Sequence, residues 1–250
     1  MNLYVITGTS RGLGRALADE LAGNAENFVV EMGRATPAKN ARNTLLEADF
    51  ADKNSVTQAF VALAALLQGR HFAFAALINN AGVVLPVARF DALDPAALET
   101  NFAVNVTAPI LAAGAFATLT RGMADQRLIV GISSGAAKRA VRGWTAYCAA
   151  KCALEMATRV MAAEAEASDP GLVICTLAPG VIDTGMQSAI RAIPEGAFPE
   201  VARFREMKES GALRDATAVA RDIISVLQPT TGQAILLNGG NHDIREINHA

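Results

Sequence analysis

Short apolar runs rich in β-branched residues alternate with longer helical stretches along this chain, and that alternation constrains the fold more than any other feature. Runs near 3–6, 28–32, 45–48, 75–78, 128–132, 173–177 and 234–237 predict strands, and stretches near 12–21, 54–67, 95–123, 146–167 and 216–227 predict helices. Strands separated by helices pair in parallel, because the crossover carries the chain back to the same end of the sheet. Asp94-Pro95 supplies a cap followed by proline in the first turn, and Gly23 suits the end of the first helix. The apolar share of 52% fits helices on both faces of such a sheet. A length of 250 residues, with no repeat, low-complexity tract or linker, predicts a single α/β domain over 1–250. The sheet is expected to be doubly wound and parallel, with about seven strands. The segment 185–211, with Pro194 and Pro199, reads as an irregular insertion that serves as a substrate lid.

Each unusual motif follows a predicted strand directly. Gly8 follows the first, Asn79-Asn80-Ala81-Gly82 the fourth, Ser133-Ser134 the fifth and Pro179-Gly180 the sixth. In an open parallel sheet these strand ends share one edge, where ligands bind at the reversal of strand order. Thr7-Gly8-Thr9-Ser10-Arg11-Gly12-Leu13-Gly14 departs from the G-x-G-x-x-G pattern, yet it offers the same physics of strand, tight turn and helix amides facing a pyrophosphate. Asp49-Phe50, after the third strand, could bind an adenine through a carboxylate and a backbone amide. A turn or capping role for Asp49 fits equally well.

The segment Tyr147-Cys148-Ala149-Ala150-Lys151 carries the chemistry. Tyr147 and Lys151 are four apart on a predicted helix and share a face. An ammonium there can stabilise the phenolate and bring a group of ordinary pKa about 10 towards working pH. That suits a proton donor to a carbonyl oxygen.

TGTSRGLG, the Asp49 turn, NNAG, Asn105, Ser134, YCAAK and PGVIDT stand in an order and spacing that resemble the short-chain dehydrogenase/reductase family over nearly the whole chain. The TGTSRGLG and GR elements are similar to its sepiapterin reductase and benzil reductase branch. The resemblance implies a Rossmann fold and a catalytic tetrad of Asn105, Ser134, Tyr147 and Lys151. Ser134 and Tyr147 would hold the substrate oxygen, Tyr147 would donate the proton, and Lys151 would bind the nicotinamide ribose. Asn105 would hold a water linking Lys151 to solvent at a local backbone kink, and Ser133 would support the loop. Cofactor contacts implied by the resemblance are Gly8, Ser10, Arg11, Gly12, Leu13 and Gly14 in the turn, with Asp49 and Phe50. Asn80, Ala81 and Gly82 would line the ribose, and Pro179, Gly180, Ile182 and Thr184 would frame the nicotinamide and a phosphate. Asn79 would tie neighbouring strands. The reaction implied is reduction of a ketone or vicinal diketone.

The family's acidic position after the second strand, which selects NAD, is Gly33 here, and Arg34 follows it. A second cation, Arg11, lies in the turn. Guanidiniums favour a 2′-phosphate, so NADP(H) is expected; an altered alignment would bring Glu31 to the ribose and favour NAD(H). Trp144, Met186, Ile190, Phe198 and Phe204 would line an apolar substrate pocket or pack the lid, with Ser134, Trp144, Tyr147 and Met186 the expected substrate contacts. Lys138, Arg139 and Arg142 raise the rival of an anionic ketoacyl thioester. A non-catalytic NADP(H)-sensing protein and an epimerase are other readings of the same fold.

A net charge of −2 and scattered cations show no basic face for nucleic acid. Cys148, Cys152 and Cys175 are too few and too badly spaced for a disulfide framework or a metal site, so no metal is expected and a reducing, cytoplasmic location is. Residues 100–120 carry no charge, but Asn101, Asn105, Thr107 and Pro109 interrupt them, and a buried helix is expected rather than a membrane span. The helices 95–123 and 146–167 are apolar beyond the needs of one sheet face, which predicts a homodimer or homotetramer about two-fold axes. A solvated face at Glu155, Arg159, Glu164 and Glu166 would instead leave a monomer.

Overall fold

The computed structural model describes residues 1–34, 43–227 and 236–247. Seven strands, β1 (Asn2–Thr7), β2 (Asn27–Gly33), β3 (Thr44–Glu47), β4 (Phe72–Asn79), β5 (Ala124–Ile132), β6 (Leu172–Ala178) and β7 (Asn241–Asp243), form one sheet in the order β3-β2-β1-β4-β5-β6-β7. Every pairing is parallel. The order reverses between β1 and β4, so the strand ends there open a crevice.

Strand side chains alternate between two covered faces. On β1, Tyr4 and Ile6 pack under α1 (Gly12–Ala22) and α8 (Ala216–Leu227), against Leu17, Val219 and Ile223. Leu3 and Val5 face the other layer, with Leu63 of α2 (Lys53–Leu67) and Phe116. Continuous burial of Leu3–Ile6 is what a central parallel strand requires.

Asp94 caps α3 (Pro95–Phe102), its Oδ2 accepting from the Ala97 amide at 2.8 Å, with Pro95 in the first turn. The helix expected to run unbroken over 95–123 is divided. A π-helical turn (Ala103–Thr107) separates α3 from α4 (Ala108–Thr120). Pro109 is the physical reason: it has no N–H to give the Asn105 carbonyl, so the ladder widens at that point. By length and composition Pro95–Thr120 could cross a membrane. Here Ala108, Ala112, Ala113 and Phe116 are buried in the layer that covers the sheet.

Two further expectations are corrected. Of the strand expected at 234–237, residues 234 and 235 lie outside the described residues, while Leu236 and Leu237 belong to no strand, and β7 is instead the polar triplet Asn241–Asp243. It is a strand because β6 presents a free edge to it and Thr176 holds it there, its amide donating to Gly240 O and its hydroxyl to Asn241 Oδ1. The segment 185–211 is not irregular: it holds α6 (Gly185–Arg191) and α7 (Val201–Glu209), with the prolines confined to the connection. A short helix, α9 (Ile244–Ile247), follows β7.

Candidate active site

The glycine turn leaves β1 with Gly8 at φ +74, and a Cβ on Gly8 would stand 2.7 Å from the Ala81 backbone. A Cβ on Gly14 would collide with the Gly8 carbonyl and the Asn80 amide. Glycine is therefore required where the turn presses on the strand end of β4. Asn80 holds that contact, its Nδ2 donating to Thr7 O (3.0 Å) and Gly8 O (3.1 Å) while Thr7 Oγ1 accepts from the Asn80 and Ala81 amides. Asn79, expected to tie strands, instead donates to Pro109 O at 3.1 Å and joins β4 to α4. The strand-tying side chain is Asn80.

At the start of α1, Arg11 makes no side-chain cap bond, so no side chain of the cap satisfies the first-turn amides. Thr184 lies against Gly12, with its Cγ2 3.3 Å from where a Cβ would be, and the Arg11 guanidinium lies beside Gly185. Uncapped amides and a cation around one helix N-terminus, with Thr184 packed against it, fit a pyrophosphate.

Ser134, Tyr147, Lys151 and Asn105 come together below this turn. Tyr147 and Lys151 share the buried face of α5 (Thr145–Ser168), at 7% and 5% exposure, with the ammonium 5.8 Å from the phenol ring centroid. Lys151 Nζ donates to Ile132 O at 2.8 Å, at the end of β5. Burial pushes the Tyr147 phenol up to about 12, opposed by its hydrogen bond with Ser134. Burial also draws Lys151 down to about 8, opposed by the nearby Glu155 carboxylate. The lowering expected of the tyrosine is therefore corrected: in this structure burial raises it. Desolvation under the apolar roof is the largest cause, and the Lys151 ammonium donates to Ile132 O.

Asn105 is fully buried in the π-helical turn. Its Nδ2 donates to Val83 O (2.8 Å) and Asn101 Oδ1 (3.0 Å), and its Oδ1 accepts from the Val83 amide (3.1 Å). The missing side chain of Gly82 leaves the gap between them: a Cβ there would be 3.1 Å from Asn105 Oδ1 and 3.7 Å from Lys151 Nζ.

The roof is aromatic. Trp144 stacks on Phe198 with centroids 5.2 Å apart and planes at 9°, and meets Tyr147 edge-on at 5.3 Å. Ile190 and Phe204 are buried in the same cluster, with Met186 packed at its side. Trp144 Nε1 is buried without a hydrogen-bond partner among the described residues.

The short chain dehydrogenase family model matches residues 2–194. The chain belongs to the short-chain dehydrogenase family. It is 32% identical to a benzil reductase ((S)-benzoin forming) of Bacillus subtilis (strain 168), over 99% of this chain and 100% of that protein. Identity to the sepiapterin reductase of Rattus norvegicus is 29% over 92% of each. Among solved structures, the KRED1-Pglu enzyme superposes with a TM-score of 0.83 at 25% identity, covering 96% of this chain and 100% of that one.

As a short-chain dehydrogenase the protein is an oxidoreductase of the CH–OH/C=O pair, in a family that uses NAD(P)(H). At the end of β2, Gly33 lies beside Thr9 of the turn, and Arg34 is the next residue along the chain. Glu31 is buried and engaged by Arg15 and by Asn43 Nδ2 (2.6 Å), so its carboxylate already has donors. Asp49 closes its own turn, Oδ1 accepting from the Ala51 amide at 3.0 Å. Pro179 is buried, and Gly180 turns with φ +78 against Arg245. Among the charged groups between Ser134 and Tyr147, Arg142 pairs with Glu200 at 3.7 Å.

Two residues of this dehydrogenase's site escaped the sequence reading. Asn101, read as an interruption of an apolar run, is the fully buried partner of Asn105; two asparagines four apart in an uncharged helix were the available signal. Glu155, on a solvated face only in the monomer alternative, is 6% exposed and accepts from Ser133 and Asn241. Helical spacing puts it on the face of Tyr147 and Lys151, but its partners Ser133 and Asn241 come from segments that only the fold brings there.

Proposed function

We propose that this dehydrogenase reduces a ketone or vicinal diketone with NADPH, with Tyr147 as the proton donor. One observation carries the reading: Ser134, Tyr147 and Lys151 meet beneath an aromatic roof, at the strand edge that also holds an uncapped helix N-terminus. The amides of Gly12, Leu13 and Gly14, with Thr184, would hold the pyrophosphate, and Arg34 and Arg11 a 2′-phosphate. When bound, NADPH supplies the hydride that reaches the carbonyl carbon. Ser134 and Tyr147 orient the carbonyl oxygen, and the Tyr147 O–H bond breaks as its proton passes to that oxygen, giving the alcohol. The Lys151 ammonium steadies the phenolate that remains, and a proton from solvent, passed through a water for which the π-helical turn at Asn105 leaves a carbonyl, restores the phenol.

Similarity to benzil reductase and the Trp144–Phe198 stack support an aromatic diketone as substrate. Segment 185–211 carries Ile190, Phe198 and Phe204 of the roof and is the proposed lid. Assembly is proposed through α4 and α5, where Ile110, Leu111, Met156 and Val160 are exposed apolar residues on adjoining helices. An NADPH-oxidation screen over diketones, aromatic ketones and ketoacyl thioesters tests the substrate class. Tyr147→Phe is expected to keep NADPH binding and lose at least about a hundredfold in turnover; unchanged turnover refutes the assignment.

A further inference from the structure

Three consecutive residues at the end of β5 are each fastened to one face of α5. Lys151 Nζ donates to Ile132 O at 2.8 Å, Ser133 Oγ donates to Glu155 Oε1 at 2.7 Å, and Ser134 bonds the Tyr147 phenol. Tyr147, Lys151 and Glu155 recur every four residues, so they form a ladder along the helix. Two of its rungs belong to the reaction proposed above. The third has had no role.

Glu155 is buried, and among the described residues no arginine or lysine forms an ion pair with it. Its second oxygen, Oε2, accepts from Asn241 Nδ2 at 3.0 Å. Thr176 Oγ1 donates to Asn241 Oδ1 at 2.9 Å, which fixes the amide so that its NH2 faces the carboxylate. Both oxygens thus accept from donors, the pattern that suits an ionised carboxylate. A buried carboxylate is costly, and packing alone would be better served by leucine.

We propose that Glu155 is a positioning residue, whose carboxylate clamps Ser133 to α5 and so holds Ser134 on Tyr147 while supporting the Lys151 ammonium one turn away. It touches neither substrate nor cofactor and acts through Ser133 and Lys151. The proposal rests on the reading of Ser134, Tyr147 and Lys151 as the reacting groups. The other groups facing this stretch of α5 do not duplicate it: α3 and the π-helical turn bring neutral Asn101 and Asn105, with Glu99 exposed. Strand β6 brings Thr176, its Cys175 facing the opposite side of the sheet, and β7 brings Asp243, which is ion-paired with Arg245.

Glu155→Gln keeps the shape, can still accept from Asn241 and donate to Ser133, and removes the charge. In this variant the alkaline limb of the kcat profile is expected to move to lower pH by about 0.5–2 pH units, from Coulomb's law over about 6 Å at an effective dielectric between bulk water and protein surface. Ser133→Ala removes the clamp and keeps the charge; its kcat should fall about tenfold with the alkaline limb in place. Independently of turnover, hydrogen exchange over 132–137 in the protein without cofactor should rise at least about fivefold in Glu155→Ala. An unmoved alkaline limb in Glu155→Gln, wild-type kcat in Ser133→Ala, or unchanged exchange in Glu155→Ala overturns the proposal. If the wild type oxidises NADPH with none of the screened carbonyls, the functional reading falls instead, and the exchange measurement still decides the clamp.

Discussion

Replacing Lys151 by methionine is expected to stabilise the fold at neutral pH while abolishing turnover. Lys151 is buried and its pKa falls from an ordinary 10.5 to about 8, chiefly through loss of hydration. At 1.36 kcal/mol per pH unit that fall means the protonated side chain carries a penalty of about 3 kcal/mol in the folded protein. Methionine, of similar length and apolar, removes it. The loss of the bond to Ile132 O leaves that carbonyl unpaired at about 1 kcal/mol, so the net gain is about 2 kcal/mol at pH 7. The sign follows from linkage. With the folded pKa depressed, the penalty is full below pH 8 and is relieved as pH rises towards 10.5, because the unfolded chain then holds a proton that the folded one has released. Wild type should therefore gain on the variant through that window, and by about pH 9.5 the difference should be near zero. Urea unfolding of both proteins at pH 7 and pH 9.5 measures it. A variant no more stable than wild type at pH 7, or one with the same advantage at both pH values, would show that Lys151 is not held at a desolvation penalty.

Removing the Arg34 guanidinium by Arg34→Ala should weaken NADPH by about 1.5–3 kcal/mol, the scale of hydrogen bonds to a charged group, and leave NADH nearly unchanged. Calorimetric titration with each cofactor separates this from equal losses, which would make Arg34 structural. In light scattering at micromolar concentration the wild type should exceed the 26.1 kDa of one chain. Met156→Glu with Val160→Glu, placed on the half-exposed apolar stripe of α5, should bring the mass down to that of one chain, since buried unpaired carboxylates oppose an apolar contact. A wild-type mass of one chain with full activity refutes the assembly.

The sequence alone determined the parallel sheet, because burial on both faces writes Leu3–Ile6 and its counterparts as continuous apolar runs separated by helix-length stretches. It also determined the meeting of Ser134, Tyr147 and Lys151, since the first ends a strand and the others are fixed by helical spacing. Tertiary structure decided what those local periods do not encode. Pro109 announced a disturbance in an apolar helix, but the width of the resulting turn and the use of Asn101 and Asn105 within it depend on Val83 of another segment. Asn79 and Asn80 are adjacent and chemically identical. Which of them ties strand to strand is settled by the pleat, which turns one towards α4 and the other towards the glycine turn. Polar Asn241–Asp243 is a strand only because the edge of β6 needs a partner, and by pairing there it brings Asn241 onto Glu155, a contact that helical spacing alone does not encode. Burial is also what reverses the expected pKa of Tyr147: desolvation depends on everything packed around a group, and that is a property of the fold, not of spacing along the chain.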